Sequence, residues 1–266
     1  IRPSGIRRMF PTKSISNVIS LGIGEPDFCP PPDVLEAVKQ ALNEGKTHYA
    51  PTRGIPDLLE ALAKKAKKDY GLSYDPNTEI LVTVGGTQAI FLALQALINP
   101  GDEVIIPDPC FVCYEPSVYM AGGIPISTPL LEKDGFTIEN DDVVSHLTRK
   151  SRMILINSPN NPTGSVLSHA DMSNLAKIVN EHNLLVISDE VYEKITYDDV
   201  RHYCFAGFPD MRERTIVVGS FSKSYAMTGF RVGYVYGPQK LIAPMKLAHY
   251  FNVGCVNTSA QYAALA

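Results

Sequence analysis

The stretch Thr215-Ile216-Val217-Val218-Gly219-Ser220-Phe221-Ser222-Lys223 decides the fold class. A short apolar run rich in β-branched residues reads as a strand buried on both faces, the mark of a parallel sheet covered by helices. In open α/β sheets, ligands gather at the carboxyl ends of the strands. Lys223 lies just past such an end, beside the hydroxyls of Ser220 and Ser222. A little further on, Gly229-Phe230-Arg231-Val232-Gly233 offers a guanidinium suited to a phosphate. A lysine in such a pocket loses its proton more readily, and only the neutral amine attacks a carbonyl to form a Schiff base. The same residues could also form a solvated surface turn, so the rest of the chain must choose.

Working outward, short apolar runs at 79–84, 104–106, 124–127, 153–156 and 184–187 precede the one at 215–218. Helical patterns separate them, at 56–70 (stopped by Gly71), at 88–98 and at 168–182. A further helix is expected to open at Pro31-Pro32-Asp33 with Glu36, as a capping box led by Asp33, and to bury Val34, Leu35, Val38, Ala41 and Leu42 up to Gly45. Buried strands linked by helices imply a largely parallel sheet with right-handed crossovers. The run at 232–236 follows Lys223 too closely for a crossover helix and is expected to pair antiparallel. The organisation is read as one main α/β domain over 31–266, preceded by an arm, 1–30, that begins a smaller domain.

With 266 residues, 45% of them hydrophobic, the chain can bury a sizeable core. A net charge of -4 carries no basic footprint, which argues against nucleic acid as a partner. No apolar stretch reaches the ~20 residues that span a bilayer, and no signal peptide opens the sequence. Five scattered cysteines suit a reducing cytoplasm better than a disulfide framework. Cys110-Phe111-Val112-Cys113 has redox or zinc spacing, but no second pair completes a metal site.

Four further loops each follow an expected strand. Gly85-Gly86-Thr87-Gln88 lets backbone amides approach an anion at a helix N-terminus, or is simply a tight turn. It spells neither a dinucleotide nor a nucleotide-triphosphate loop. Asn157-Ser158-Pro159-Asn160-Asn161-Pro162-Thr163-Gly164 presents Asn161 as a donor to a phenolic oxygen or as a turn cap. Ser188-Asp189-Glu190-Val191-Tyr192 places a carboxylate in a low-dielectric crevice, where it calls for a cationic partner unless it caps a turn. Phe111, with Tyr114, can stack on a flat heterocycle or fill the core. Together the loops request one ligand. It has a phosphate (Gly86, Thr87, Ser220, Arg231), a protonated ring nitrogen (Asp189), a phenolate (Asn161, Tyr192), a flat ring (Phe111) and an aldehyde (Lys223). That description fits pyridoxal 5′-phosphate.

At these residues the sequence resembles the fold-type I pyridoxal-phosphate aminotransferases of class I/II, especially their prokaryotic aspartate/aromatic branch. The carriers are 20–28 (Ser-Leu-Gly-Ile-Gly-Glu-Pro-Asp-Phe), Thr47-His48-Tyr49 with Arg53-Gly54, 85–89, 160–164, 188–192, and 220–223 through Arg231. The resemblance implies a three-layer α/β/α large domain with a mostly parallel mixed sheet. It implies Lys223 as the cofactor-bearing lysine and proton shuttle, Asp189 as the pyridinium partner, and Asn161 and Tyr192 on the ring hydroxyl. Phe111 would stack on the ring. Gly86, Thr87, Ser220, Ser222 and Arg231 would hold the phosphate, with Gln88 also among the cofactor-binding residues. Tyr49 would reach a neighbouring subunit's phosphate, making a cytoplasmic homodimer, and Gly24 and Asn161 would lie near the substrate carboxylate.

The family continues well beyond the region matching Ala266, through a small domain that carries the arginine for the substrate's α-carboxylate. The sequence is therefore expected to be a segment that lacks most of that domain, with doubtful turnover alone. Thr87 stands where acid-preferring relatives carry a basic residue, which favours aromatic or broad substrates while leaving aspartate open. 2-Oxoglutarate is the expected amino acceptor. A lyase or synthase on the same fold, or a non-catalytic cofactor-binding domain, is the alternative.

Overall fold

A computed structural model describes Gly22 and residues 24–266. Most of the expected arm over 1–30, including Ser20, Leu21 and Ile23 of its motif, lies outside the described residues.

Seven strands form one sheet among the described residues: β1 (Ile80–Thr83), β2 (Glu103–Asp108), β3 (Ile124–Pro129), β4 (Ser151–Asn157), β5 (Leu185–Asp189), β6 (Thr215–Ser220) and β7 (Gly233–Tyr236). Their order across the sheet is β1-β7-β6-β5-β4-β2-β3. Neighbours from β6 to β3 pair parallel, and β7 alone runs antiparallel, to β1 on one side and β6 on the other. The antiparallel reading of 232–236 holds, because the connection from β6 is too short to return the chain to the starting edge.

The helices are α1 (Pro32–Asn43), α2 (Pro56–Tyr70), α3 (Gly85–Leu97), α4 (Tyr114–Met120), α5 (Asn140–His146), α6 (His169–Glu181), α7 (Phe221–Ser224), α8 (Gln239–Val253) and α9 (Thr258–Leu265). Side-chain alternation along the strands assigns them to two layers. Ile216 and Val218 of β6 pack with Ala89 and Ile90 of α3 and Ile242 and Met245 of α8. Val217 points the other way, into Leu58 and Leu62 of α2 and Ala260 of α9. In β4, Met153 and Leu155 join the first side, while Ile154 and Ile156 meet Met172 and Leu175 of α6 on the second. Except for the largely exposed edge strand β3, the strands are buried on both faces and need no polar alternation, which is why they read as continuous apolar runs. The architecture is the expected three-layer α/β/α arrangement around a mostly parallel mixed sheet.

Local signals held unevenly. α2 has the bounds read from sequence, with Pro56 in its first turn and Gly71 closing it in the left-handed conformation. α1 differs: Pro31 is its N-cap, no side chain caps it, and Asp33 sits inside the first turn. A carboxylate there still favours the helix dipole, so the residue type was right and its position wrong. Only Val34 and Ala41 of the expected stripe are fully buried; Leu35 and Leu42 face outward. The reciprocal capping box belongs to α6, between Ser168 and Asp171. α3 starts at Gly85 rather than Gln88, because the Gln88 carboxamide accepts the Val84 N–H and closes the first turn.

Gly233 permits β7 to lie between β1 and β6. A Cβ there would stand 2.5 Å from the Gly85 carbonyl carbon and 2.7 Å from the Gly86 nitrogen. Both obstructions are backbone, so nothing can rotate aside. Gly233→Ala is expected to cost about 1–3 kcal/mol by overpacking. The urea midpoint should fall at unchanged slope, and an unchanged midpoint would contradict this account.

Candidate active site

β5 delivers Asp189 to the carboxyl edge of the sheet, between β4 and β6. Its carboxylate is buried and receives two neutral donors: the Tyr114 hydroxyl at 2.6 Å on Oδ2, and the Val191 N–H at 3.2 Å on Oδ1. The cationic partner expected from sequence is not found among the described residues. Burial pushes the Asp189 pKa up to about 6, against the two hydrogen bonds, which pull it down. Burial, and then Asp189 itself, hold the Tyr114 phenol well above its ordinary range, so it stays a donor.

From sequence, Tyr114 is only an aromatic companion of Phe111. The structure makes it the direct partner of Asp189, and the two rings meet edge-on at 5.6 Å. Its position three residues after Phe111, at the start of a short helix, was the available signal. Asn157 is a second such residue, with no role assigned from sequence. It donates to the Asp189 carbonyl at 2.9 Å and accepts the Asn161 N–H at 2.8 Å, tying the two loops together. Asn161 in turn donates to the Tyr192 hydroxyl at 3.2 Å, so these two residues do converge. Burial and Asp189 raise the Tyr192 pKa, while Asn161 opposes them.

A second group forms where β7 passes the β1–α3 turn. Gly85 adopts φ +73°, and a side chain there would run into the Arg231 guanidinium. At Gly86 a Cβ would press Val191 Cγ2 at 3.1 Å and lie 3.6 Å from Ser220 Cβ. Arg231 occupies the left-handed region, φ 56°, and donates to the Thr228 carbonyl at 2.8 Å and to Ser222 Oγ at 3.3 Å. Ser220 Oγ accepts the Ser222 N–H at 3.1 Å, capping α7. Gly86, Ser220, Ser222 and Arg231 are thus brought together, and Thr87 stands exposed beside them at the helix start. Gln88 is employed otherwise. Its oxygen closes the Val84 turn and its nitrogen donates to Asn252 of α8 at 2.8 Å.

Lys223 is half-buried, and its Nζ donates to the Gly24 carbonyl. Its pKa is lowered by burial, with Glu25 opposing and Arg231 assisting. The Thr228 hydroxyl donates to Glu25 at 3.0 Å and pins the segment that carries Gly24. Phe111 is half-buried near the Asp189 end. Tyr49 is apart, 95% exposed on an open cleft lined by Lys46, His48, Asn257 and Thr258. Burial drives the Cys110 thiol up to about 12, so it remains a protonated thiol. Among the described residues no cluster of His, Cys, Asp or Glu is arranged to hold a metal ion.

One edge of the sheet therefore carries an anion cradle, an amine of lowered pKa and a buried carboxylate lacking a cation. The family described as aminotransferase class I and II matches residues 16–266. An aspartate aminotransferase of Pyrococcus abyssi is 47% identical over 265 residues, covering 99% of this chain and 68% of the relative. Aromatic-amino-acid aminotransferase 2 of Thermococcus litoralis is 44% identical, with the same coverage of 99% and 68%. The crystal structure of an aromatic aminotransferase from Pyrococcus horikoshii superposes with a TM-score of 0.92 at 49% identity, covering 94% of this chain and 67% of that one. The chain belongs to the class I and II aminotransferase family, and its chemistry is the transfer of amino groups.

Proposed function

We propose that the chain binds pyridoxal 5′-phosphate at this edge and moves an amino group from an L-amino acid to a 2-oxo acid. The observation that carries the reading is Asp189, a buried carboxylate held only by neutral donors at the same sheet edge as Lys223. Ionised, it lacks a cation, and a protonated pyridine nitrogen is the cation that would satisfy it.

The other residues fit the same group. Lacking side chains, Gly85 and Gly86 let Arg231 and Ser220 close on the start of α3, and Ser222 is held against Arg231, which suits a phosphate. Asn161 and Tyr192 form a polar pair that suits the ring oxygen, with the Phe111 face for the ring. Thr87 and Ser220 complete the phosphate side. Gln88 supports that side by holding the turn, in place of touching the phosphate.

When bound, the cofactor supplies an electron sink for the pair of electrons left when the substrate's Cα–H bond breaks. The protein's own groups do the rest. Asp189 holds positive charge at the ring nitrogen. Tyr114 and Val191 fix the carboxylate's orientation. Lys223, its amine pKa already lowered, would take the substrate's Cα proton at Nζ and give that same proton up again to complete the exchange, so that the amine ends as it began. Asn161 and Gly24 face the substrate carboxylate.

The substrates are an aromatic, aspartate or broader L-amino acid and a 2-oxo acid such as 2-oxoglutarate. Thr87, uncharged, favours the aromatic or broad range. The working unit is a cytoplasmic homodimer in which the exposed Tyr49 serves the neighbouring phosphate, with 31–266 as the large domain. The five scattered cysteines accord with a reducing compartment.

The freshly purified protein should show the visible absorption band of lysine-bound cofactor, and Lys223→Ala should abolish it. Turnover in that variant should fall by roughly 10²–10⁴-fold, the scale of one lost acid–base group. Amino acids added singly should bleach the band with release of an equimolar 2-oxo acid; ammonia release would point to a lyase instead.

Asp189 also predicts an opposed pair of effects. With a folded pKa of about 6 against about 3.9 unfolded, its ionisation costs stability. The cost grows as pH rises through that interval and is complete above it. Asp189→Asn should therefore stabilise the cofactor-free protein near neutral pH by up to about 3 kcal/mol. The gain should vanish below roughly pH 4, while cofactor affinity falls. Urea unfolding at both pH values tests this; a less stable variant at neutral pH would overturn it.

A further inference from the structure

Tyr192 sits on a turn flanked by two buried carboxylates, Glu190 and Glu193, which the site itself does not use. Glu190 accepts from Ser188 at 2.6 Å and pairs with His202 Nε2 at 2.5 Å. Glu193 accepts Lys65 Nζ of α2 at 2.6 Å and the Tyr70 hydroxyl. Lys65 also binds Asp69 at 2.6 Å, and Asp69 binds Lys194, on the same turn, at 3.1 Å. The Tyr70 ring lies 6.3 Å from the His202 ring and closes the group. Three carboxylates (Glu190, Glu193, Asp69) thus face three nitrogen bases: Lys65, Lys194 and His202. The balance is neutral only when His202 carries a proton.

We propose that His202 is a positioning residue whose charge completes this cluster and so holds the Tyr192 turn for cofactor binding. The inference rests on the cofactor reading above for its consequence and on the ion-pair geometry for its mechanism. The two backbone bonds that define the turn, Glu193 N–H to the Glu190 carbonyl and Ile195 N–H to the Tyr192 carbonyl, span the anchored positions. Losing the His202 proton leaves Glu190 almost without exposure and without a counter-charge, and a buried unpaired charge is strongly unfavourable. Arg201, the adjacent cation, does not replace it, because its guanidinium lies over the Tyr203 ring at 5.1 Å. The other titratable neighbours are Cys204 and, behind Glu193, Tyr234 and Tyr236 of β7. All three are buried, with their pKa values driven up, so they remain neutral.

The direction follows from these contacts. Burial lowers the His202 pKa, but Glu190 and then Glu193 outweigh it, with Lys194 opposing, and the pKa is raised. The stabilisation is complete below the ordinary histidine range and is lost as pH rises through the elevated value. Cofactor affinity should acquire an alkaline limb set by His202.

The test uses the full chain, with His202→Gln and Glu190→Gln as variants that keep hydrogen-bonding ability. Proton NMR should give His202 a midpoint above ~6.5, and Glu190→Gln should lower it. Hydrogen exchange at the Glu193 and Ile195 amides should show protection in the parent that falls roughly tenfold across the same midpoint. In His202→Gln it should be low at every pH. Pyridoxal 5′-phosphate affinity, titrated by absorbance, should lose its alkaline limb in that variant. A His202 midpoint at or below ~6.5, or amide protection that follows pH identically in parent and His202→Gln, overturns the proposal. The NMR and exchange measurements need no cofactor. A chain that passes them without binding pyridoxal 5′-phosphate would refute the cofactor reading and leave the positioning of the turn standing.

Discussion

The close approach of β7 to the Gly85-Gly86 turn is the constraint on which the site depends. The residues suited to a phosphate come from two connections far apart in sequence, one after β1 and one between β6 and β7. They meet because β7 is inserted antiparallel between β1 and β6, with Gly233 against the backbone of Gly85 and Gly86. That contact sets Arg231 over Gly85 and brings Ser220 close to Gly86. The strained-looking left-handed conformation of Arg231 follows from the same geometry: the chain must turn sharply out of the Thr228–Phe230 segment to enter β7.

The parallel half of the sheet handles charge differently. β4 and β5 end side by side, so Asn157 and Asp189 are register partners. Asn157 ties down the loop carrying Asn161, while Asp189 stays buried with neutral donors only. A carboxylate in that condition is a stored electrostatic demand that a cationic ligand can meet. The adjacent Glu190 and Glu193 are satisfied internally, by histidine, lysine and tyrosine. Three acidic residues within five positions thus have distinct physical fates, set by what each strand and helix packs against them.

Much of this was legible in the residues themselves. The strands other than the exposed edge β3 are legible because burial on both faces leaves a continuous apolar run, and α2 because proline and glycine punctuate it at both ends. Asn161 and Tyr192, expected to meet the same ring oxygen, are hydrogen-bonded to each other in the structure. The misreadings share one cause. The capping box at Asp33, the inward stripe through Leu35 and Leu42, and the start of α3 at Gln88 all rest on local spacing. What decided them was a neighbour remote in sequence or a side chain free to choose between backbone partners.

Residue order by itself determined the alternation of strands and helices, the antiparallel return after Lys223, and the polar loops that follow the strands. These follow from periodicity, loop length and side-chain chemistry, all of which are local. Only tertiary structure decided that Tyr114, not a cation, holds Asp189, that Gln88 serves the turn, and that His202 answers Glu190. Each of those outcomes depends on which donor lies within about 3 Å of a buried acceptor, and hydrogen-bond and Coulomb energies fall too steeply with distance for spacing along the chain to settle them.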